Sequence, residues 1–321
     1  MIVTVTLNPC LDKTIYLDSL KVGEYNRVVD TRNDLAGKGI NVSTVIRNLG
    51  GDTLCTGFNF RDNGADLKKV FEARGLDHDF VMCDGAIRTN TKLFDRSSGV
   101  MTEINESGPL VAGASVDAFL AKIDVLLDEA DILVMSGSLP PGVPTAFYAD
   151  LIRLAHAKGV KAVLDSAGAP FESGLEALPD LIKPNLYEFG LAFSRRLGFT
   201  LNDKPDENTD FEKIIQVAKE VAAEGIPYIC ISLGGGGAVL IDAEHAYRAG
   251  SVVTEVQGLT GAGDSLVAGM CCALAEGMGP EEMLRYGIAA SGASVRKPGT
   301  LLATGDEVRE LLPQVLVEAL E

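Results

Sequence analysis

Gly258-Leu-Thr-Gly-Ala-Gly-Asp-Ser-Leu-Val-Ala-Gly-Met270 is a turn of small residues that delivers one carboxylate, Asp264, to the start of an apolar helix. A helix start leaves backbone N–H groups without intrahelical partners at the positive end of the helix dipole. The amides of Gly261, Ala262 and Gly263 are therefore suited to receive a developing phosphate charge, and Asp264 to take a proton from an attacking hydroxyl. The same residues suit simple capping equally well, because Asp is a favoured N-cap and Gly a common turn residue.

Around this turn, apolar strand-like runs alternate with helical spacing, the pattern of a mainly parallel sheet covered on both faces. The runs Ile2–Leu7, Ile132–Met135, Val160–Leu164, Leu181–Lys183 and Tyr228–Ser232 are the expected central strands. Residues 115–129, 144–157, 186–197 and 210–224 carry the helical crossovers, bounded by Gly, Pro or Asp. Asn202–Asp210 reads as a polar loop. Two stretches depart from the alternation. Residues 11–35 and 89–105 read as β excursions, the second a hairpin about Ser-Ser-Gly, and together they predict a small sheet above the carboxyl ends of the strands, where open α/β folds bind ligands. An apolar outer face on such a lid predicts pairing with a second copy.

Of the 321 residues 46% are hydrophobic, yet no run approaches the ~20 apolar residues needed to span a bilayer, so a soluble protein is expected. Met1–Leu7 has no basic region and no cleavage site and reads as a core strand. With 28 basic and 45 acidic side chains the net charge is −17, which disfavours nucleic acid and anionic membranes as partners. A phosphorylated small molecule stays open, because a few local cations and amides suffice to hold it. The six cysteines have neither metal-ligand spacing nor a disulfide-rich pattern, which fits a reducing cytoplasm. The three histidines lie far apart without ligand-like partners.

Further motifs fall at strand or helix ends. Leu35-Ala-Gly-Lys-Gly-Ile-Asn-Val42 places Lys38 at a helix entrance between glycines, with Asn41 one turn on, an arrangement suited to a phosphate or a cluster of sugar hydroxyls. A tight turn with a solvated lysine is the plainer alternative. It is not a P-loop, since Gly-x-x-x-x-Gly-Lys-Ser/Thr is missing. Ser232-Leu-Gly-Gly-Gly-Gly-Ala238 follows one strand and runs into another, so it reads as a β-hairpin turn and lacks the dinucleotide fingerprint of a dehydrogenase. In Lys183-Pro-Asn-Leu-Tyr-Glu188, Asn185 and Glu188 suit waters around Mg²⁺, and Glu188 equally suits the first turn of a helix.

Taken in order, Asn8-Pro-Cys-Leu-Asp12, Ala36-Gly-Lys-Gly-Ile-Asn41, Ser136-Gly-Ser-Leu-Pro-Pro-Gly142, Lys183-Pro-Asn185 with Glu188, Ser232-Leu-Gly234 and Leu259-Thr-Gly-Ala-Gly-Asp264 resemble the ribokinase-like carbohydrate kinases, the PfkB family, from end to end. The likeness is to the branch that phosphorylates phosphosugars. It implies one ribokinase-like α/β domain over 1–321, with the lid drawn from about 11–35 and 89–105. It implies that Asp264 is the base and that Gly261, Ala262 and Gly263 form the anion hole. Asp12, Gly37, Asn41 and Ser138 would hold the sugar, and Arg27, Lys38 and Arg88 its phosphate. Lys183, Asn185, Glu188, Ser232 and Gly234, Gly235, Gly236 and Gly237 would line the site for ATP and Mg²⁺, Glu188 acting on the metal through water. The implied acceptor is a ketohexose monophosphate, fructose 1-phosphate ahead of tagatose 6-phosphate and fructose 6-phosphate, and a homodimer through the lid is expected. A sugar-phosphate-binding regulator without turnover is the rival of a different class; the intact Gly-Ala-Gly-Asp264 counts against it. Two departures stand out: Ala36 where the family often has Gly, and Leu259 where it more often has a polar or β-branched residue.

Overall fold

Ile2–Thr6 (β1) is buried along its whole length, with Val3 and Val5 in one apolar layer and Ile2 in another. A strand covered on both faces takes β-branched residues that tolerate full burial, and the run is all Ile, Val and Thr. The computed structural model describes residues 1–321 except 203, 207, 208, 254 and 321. Beyond β1 the strands are Cys10–Leu17 (β2), Asp30–Ala36 (β3), Thr53–Phe60 (β4), Asp77–Cys83 (β5), Arg88–Asp95 (β6), Val100–Asn105 (β7) and Ile132–Ser136 (β8). Lys161–Asp165 (β9), Leu181–Ile182 (β10), Tyr228–Ser232 (β11), Ala238–Ile241 (β12), Ala246–Ala249 (β13) and Val317–Leu320 (β14) follow.

Ten strands form one sheet in the order β14-β13-β12-β11-β10-β9-β8-β1-β4-β5, parallel from β5 to β11 and antiparallel from β11 to β14. The helices Gly113–Leu126, Phe147–Ala157, Leu186–Ala192 and Phe211–Ala223 pack Phe119, Phe147, Phe189 and Val217 on one face. Lys38–Asn48, Ala262–Ala275 and Pro280–Val295 pack Val45, Val267 and Ala289 on the other. Gly39 makes the first of these contacts close, since a Cβ there would lie 2.5 Å from the Val5 carbonyl oxygen.

The expected strands all form, with β10 one residue shorter so that Lys183 lies just past its end. The strands β4 and β5 were not expected. The run Thr-Leu-Cys-Thr-Gly-Phe-Asn-Phe of β4 mixes polar with apolar residues, and its burial is decided by β1 on one side and β5 on the other. The helix expected over 186–197 breaks at Phe193, whose φ of −112° and ψ of 20° leave helical geometry, and resumes as Ser194–Leu197. The hairpin turn after β11 is a 3₁₀ turn over Gly234–Gly236. Of the expected loop Asn202–Asp210, positions 203, 207 and 208 lie outside the described residues; the others form neither helix nor strand.

Four strands form the second sheet, in the order β3-β2-β6-β7, from the two segments that departed from the alternation. Its residues Cys10, Asp12, Arg88, Asn90, Lys92, Glu103 and Asn105 line a cavity, while their neighbours in sequence point away from it. Val100, Met101 and Ile104 of β7 are exposed, as are Val22 and Tyr25 in the segment joining β2 to β3.

Candidate active site

The carboxyl ends of β1, β8 and β9, the starts of two helices and the second sheet enclose a cavity of about 540 Å³. Gly261, in the left-handed region at φ 82°, is the N-cap of Ala262–Ala275, so Asp264 sits in the first helical turn and its side chain caps nothing. That φ favours glycine, and a Cβ there would also press on the Leu302 side-chain end at 2.6 Å. The capping alternative is therefore set aside by the backbone itself. Asp264 is 6% exposed, and its Oδ2 accepts a hydrogen bond from Asn41 Nδ2 at 2.8 Å. Burial raises the Asp264 pKa above the usual carboxylate range; Lys38 opposes the rise, Asp165 adds to it, and the Asn41 amide and Lys183 oppose it. A raised carboxylate is a better proton acceptor in the neutral range.

Among the described residues the amides of Gly263 and Asp264 donate to no protein acceptor, whereas Ala262 N–H reaches the Leu259 carbonyl at 3.3 Å. Gly261, Gly263 and Asp264 line the cavity and Ala262 does not. The open part of the expected anion hole is thus Gly261 and Gly263, with the amide of Asp264 beside them.

Lys38 is the first residue of the helix Lys38–Asn48, behind Gly37. It is not a solvated turn lysine: its Nζ donates to Asp165 Oδ2 at 3.2 Å, while about half of the side chain is exposed to the cavity. Burial lowers its pKa and the carboxylates of Asp165 and Asp264 raise it by more, so it remains charged. Lys183, 5% exposed, reaches Asp165 Oδ1 at 3.2 Å from the other side. Ser136 Oγ donates to Asp165 Oδ2 at 2.7 Å, as the β8–β9 register dictates by placing the two residues opposite each other. Burial alone would raise the Asp165 pKa; Lys183 and Lys38, with the Ser136 hydroxyl, hold it well below the usual carboxylate range. The sequence reading missed Asp165. Its signal was position alone, a carboxylate at the carboxyl end of a buried strand.

Asn8 Nδ2 donates to Ser138 Oγ at 3.1 Å and Arg88 Nη2 to the same oxygen at 3.3 Å, so Ser138 and Arg88 meet at the cavity edge. Asp12, 6% exposed, accepts from Lys92 Nζ at 3.0 Å, from Asn90 Nδ2 at 3.2 Å and from the Cys10 thiol at 3.3 Å. Burial and the Asp12 charge push the Cys10 pKa up to about 12, so it stays a neutral donor. The Oδ1 atoms of Asn8, Asn41 and Asn90 and the Nε of Arg88 are buried with no protein partner among the described residues. Buried polar atoms rarely stay unpaired, and three open acceptors around one cavity match a ligand rich in hydroxyls.

Glu188 lines the cavity and forms a capping box with Asn185, its Oε2 accepting from Asn185 N–H at 2.8 Å. Asn185, Ser232 and Gly234–Gly237 lie beyond the cavity wall along the β10–β11–β12 side, where Asn185 bridges Ser232. Lys183 is not part of the cavity wall, but its Nζ lies beside Gly263, 3.7 Å from where a Cβ on that glycine would stand. Arg27 is exposed in the segment before β3 and is not part of the cavity wall. Among the described residues no group of three or more His, Cys, Asp or Glu converges to hold a metal.

A large parallel sheet, a carboxylate in the first turn of a helix beside open amides, and cations held at the same cavity define a phosphotransferase with a ribokinase-like fold. The chain belongs to the pfkB family of carbohydrate kinases, whose profile matches residues 5–305. It is similar to a 1-phosphofructokinase of Vibrio cholerae, 35% identical over 99% of this chain and 97% of that one. It is also similar to a 1-phosphofructokinase of Rhodobacter capsulatus, 32% identical over 99% and 98%. A crystal structure of phosphofructokinase-2 from Escherichia coli in complex with substrates and products superposes with a TM-score of 0.86 at 27% identity, covering 98% of each chain.

Proposed function

We propose that this kinase transfers the γ-phosphoryl group of ATP to O6 of fructose 1-phosphate, giving fructose 1,6-bisphosphate and ADP. The observation that carries this reading is Asp264, buried with a raised pKa beside the open amides of Gly261 and Gly263, in a cavity that Lys38 and Arg88 also line. Asp264 takes the proton of the acceptor hydroxyl as its oxygen bonds to the γ-phosphorus. The bond from that phosphorus to the β–γ bridging oxygen breaks, and its electron pair leaves on ADP. The glycine amides and Lys183 face the charge on the moving group. Lys38 and Arg88 supply cations for the acceptor's own phosphate, and Asp12, Asn41, Asn8 and Asn90 supply polar atoms for its hydroxyls. That two relatives are named 1-phosphofructokinase supports fructose 1-phosphate as the acceptor over other ketohexose phosphates.

The nucleotide fits along Lys183, Asn185, Ser232 and Gly234–Gly237. Exposed glycines there let a ligand approach the backbone. Mg²⁺ fits through nucleotide oxygens and water rather than a protein cage, since it retains several waters and needs few protein ligands. Glu188, already engaged with Asn185, would act on it through water. When bound, Mg²⁺ supplies charge neutralisation on the phosphates. A homodimer through the lid covers Val100, Met101 and Ile104, and the cytoplasm suits six unpaired cysteines.

Initial rates with MgATP test the reading against fructose 1-phosphate, fructose 6-phosphate, tagatose 6-phosphate and fructose. A clear lead in kcat/KM for fructose 1-phosphate is expected. A lead for another phosphosugar corrects the acceptor, and no turnover on any of them points to a binding protein.

A further inference from the structure

Lys92 is the single buried position of β6, a strand otherwise half exposed. The strand register sets it opposite Glu103 of β7, an exposed carboxylate on the same cavity-lining face of the lid and the ordinary cross-strand partner for a lysine. Its ammonium bonds to other groups of the cavity instead. The Nζ donates to Asp12 Oδ2 on β2 at 3.0 Å and to Thr260 Oγ1 at 3.2 Å, and Thr260 immediately precedes the Gly261 N-cap. Burying an ammonium costs several kcal/mol of desolvation that one carboxylate repays only in part, so a surface pairing was the less costly arrangement for stability alone. Three features thus meet at one atom: the lid, the carboxylate Asp12 that faces the cavity, and the turn carrying the open amides.

We propose that Lys92 is a positioning residue that locks the glycine-rich turn to the lid through the Thr260 hydroxyl, setting the anion hole for phosphoryl transfer. The inference rests on the proposed function and assigns Lys92 no contact with either substrate. With Lys92 in place, the lid cannot open without releasing Thr260, and the amides of Gly261 and Gly263 are held where the charge develops only while the lid is shut. Preorganised donors stabilise a transition state because they need not reorient as it forms.

The test compares wild type, Lys92→Met, Thr260→Val and the double variant, each assayed with the acceptor that wild type uses best. The expected losses in kcat are about 30-fold for Lys92→Met and about 10-fold for Thr260→Val, with the double variant no worse than Lys92→Met and KM for ATP within about twofold throughout. A double variant that loses the product of the two single effects overturns the proposal, as does a Thr260→Val enzyme within about twofold of wild-type kcat. A purely structural Asp12–Lys92 pair predicts lowered thermal stability with kcat unchanged, which also overturns it. Should Lys92→Met fail to fold, Thr260→Val decides, since it removes one hydroxyl and leaves the ion pair whole. Absence of turnover in wild type would count against the proposed function; an active wild type with additive variants would count against the role of Lys92 alone.

Discussion

Asp165 ends β9 on the large sheet, and Asp264 stands in the first turn of Ala262–Ala275; both are buried at the same cavity, one just behind Lys38 and one in its wall. Burial acts on the two carboxyls in the same direction, and their pKa values nevertheless move apart. Asp165 is gripped by Lys183, Lys38 and the Ser136 hydroxyl, so its charge is compensated at every side. Asp264 has one neutral amide donor, from Asn41, and feels the lysines from further away. Two carboxylates driven apart in this way divide the labour: the compensated one holds cations in place, and the uncompensated one is free to accept a proton.

The strongest way to break this division is Asp264→Asn. Loss of the base is expected to lower kcat by at least about 100-fold, with ATP affinity nearly unchanged. The amide keeps an acceptor for Asn41 and removes a costly buried charge, so calorimetry is expected to find a raised Tm. A variant that is both active and less stable would reverse the roles given to the two carboxylates. Next comes Asp165→Asn, which leaves the buried Lys183 and the half-exposed Lys38 without their shared counter-charge. It is expected to destabilise the fold by about 3 kcal/mol, measured by denaturant unfolding, and to raise KM for both substrates. Stability equal to wild type would show that the lysines find other partners.

Lys38→Ala sharpens the comparison from the substrate side. Removing the cation on the acceptor side should raise KM for the sugar phosphate by about tenfold and KM for ATP by much less. Equal losses would put Lys38 on the nucleotide. The smallest expected effect is the pH dependence of stability. Asp165 has a depressed folded pKa, so its contribution is complete above the ordinary carboxylate value of about 3.9 and fades as pH falls below it. Asp264 has a raised folded pKa, so its ionised form costs stability at neutral pH, and that cost fades as pH falls below the raised value and is gone below the ordinary carboxylate range. The Tm advantage of Asp264→Asn should therefore shrink on acidification, while the deficit of Asp165→Asn shrinks only at lower pH. Parallel Tm curves for the three proteins would remove the distinction.

How much of this was legible differs by residue. Asp264 and Lys38 stand out because glycines at helix starts are a local signal, readable within a few positions. Lys183, Asn185 and Glu188 were found at a strand end, and the capping box that the structure gives Asn185 and Glu188 follows from their spacing. Arg27 was matched by position in the sequence, and the exposed segment that carries it does not line the cavity. Lys92 read as a strand residue of the lid hairpin. Its bond to Thr260, 168 positions away, is one that no local pattern encodes.

The sequence by itself determined the mainly parallel sheet, the second sheet above it and the two glycine-rich turns, since each rests on hydrophobic period or backbone freedom over a short span. Only the tertiary structure decided which charges meet. Lys38 and Asp165 are 127 residues apart, and the register of β8 on β9 brings Ser136 against Asp165. Ion pairs over such separations follow from how strands align and helices pack, and the same side chains in another register would face solvent or the core.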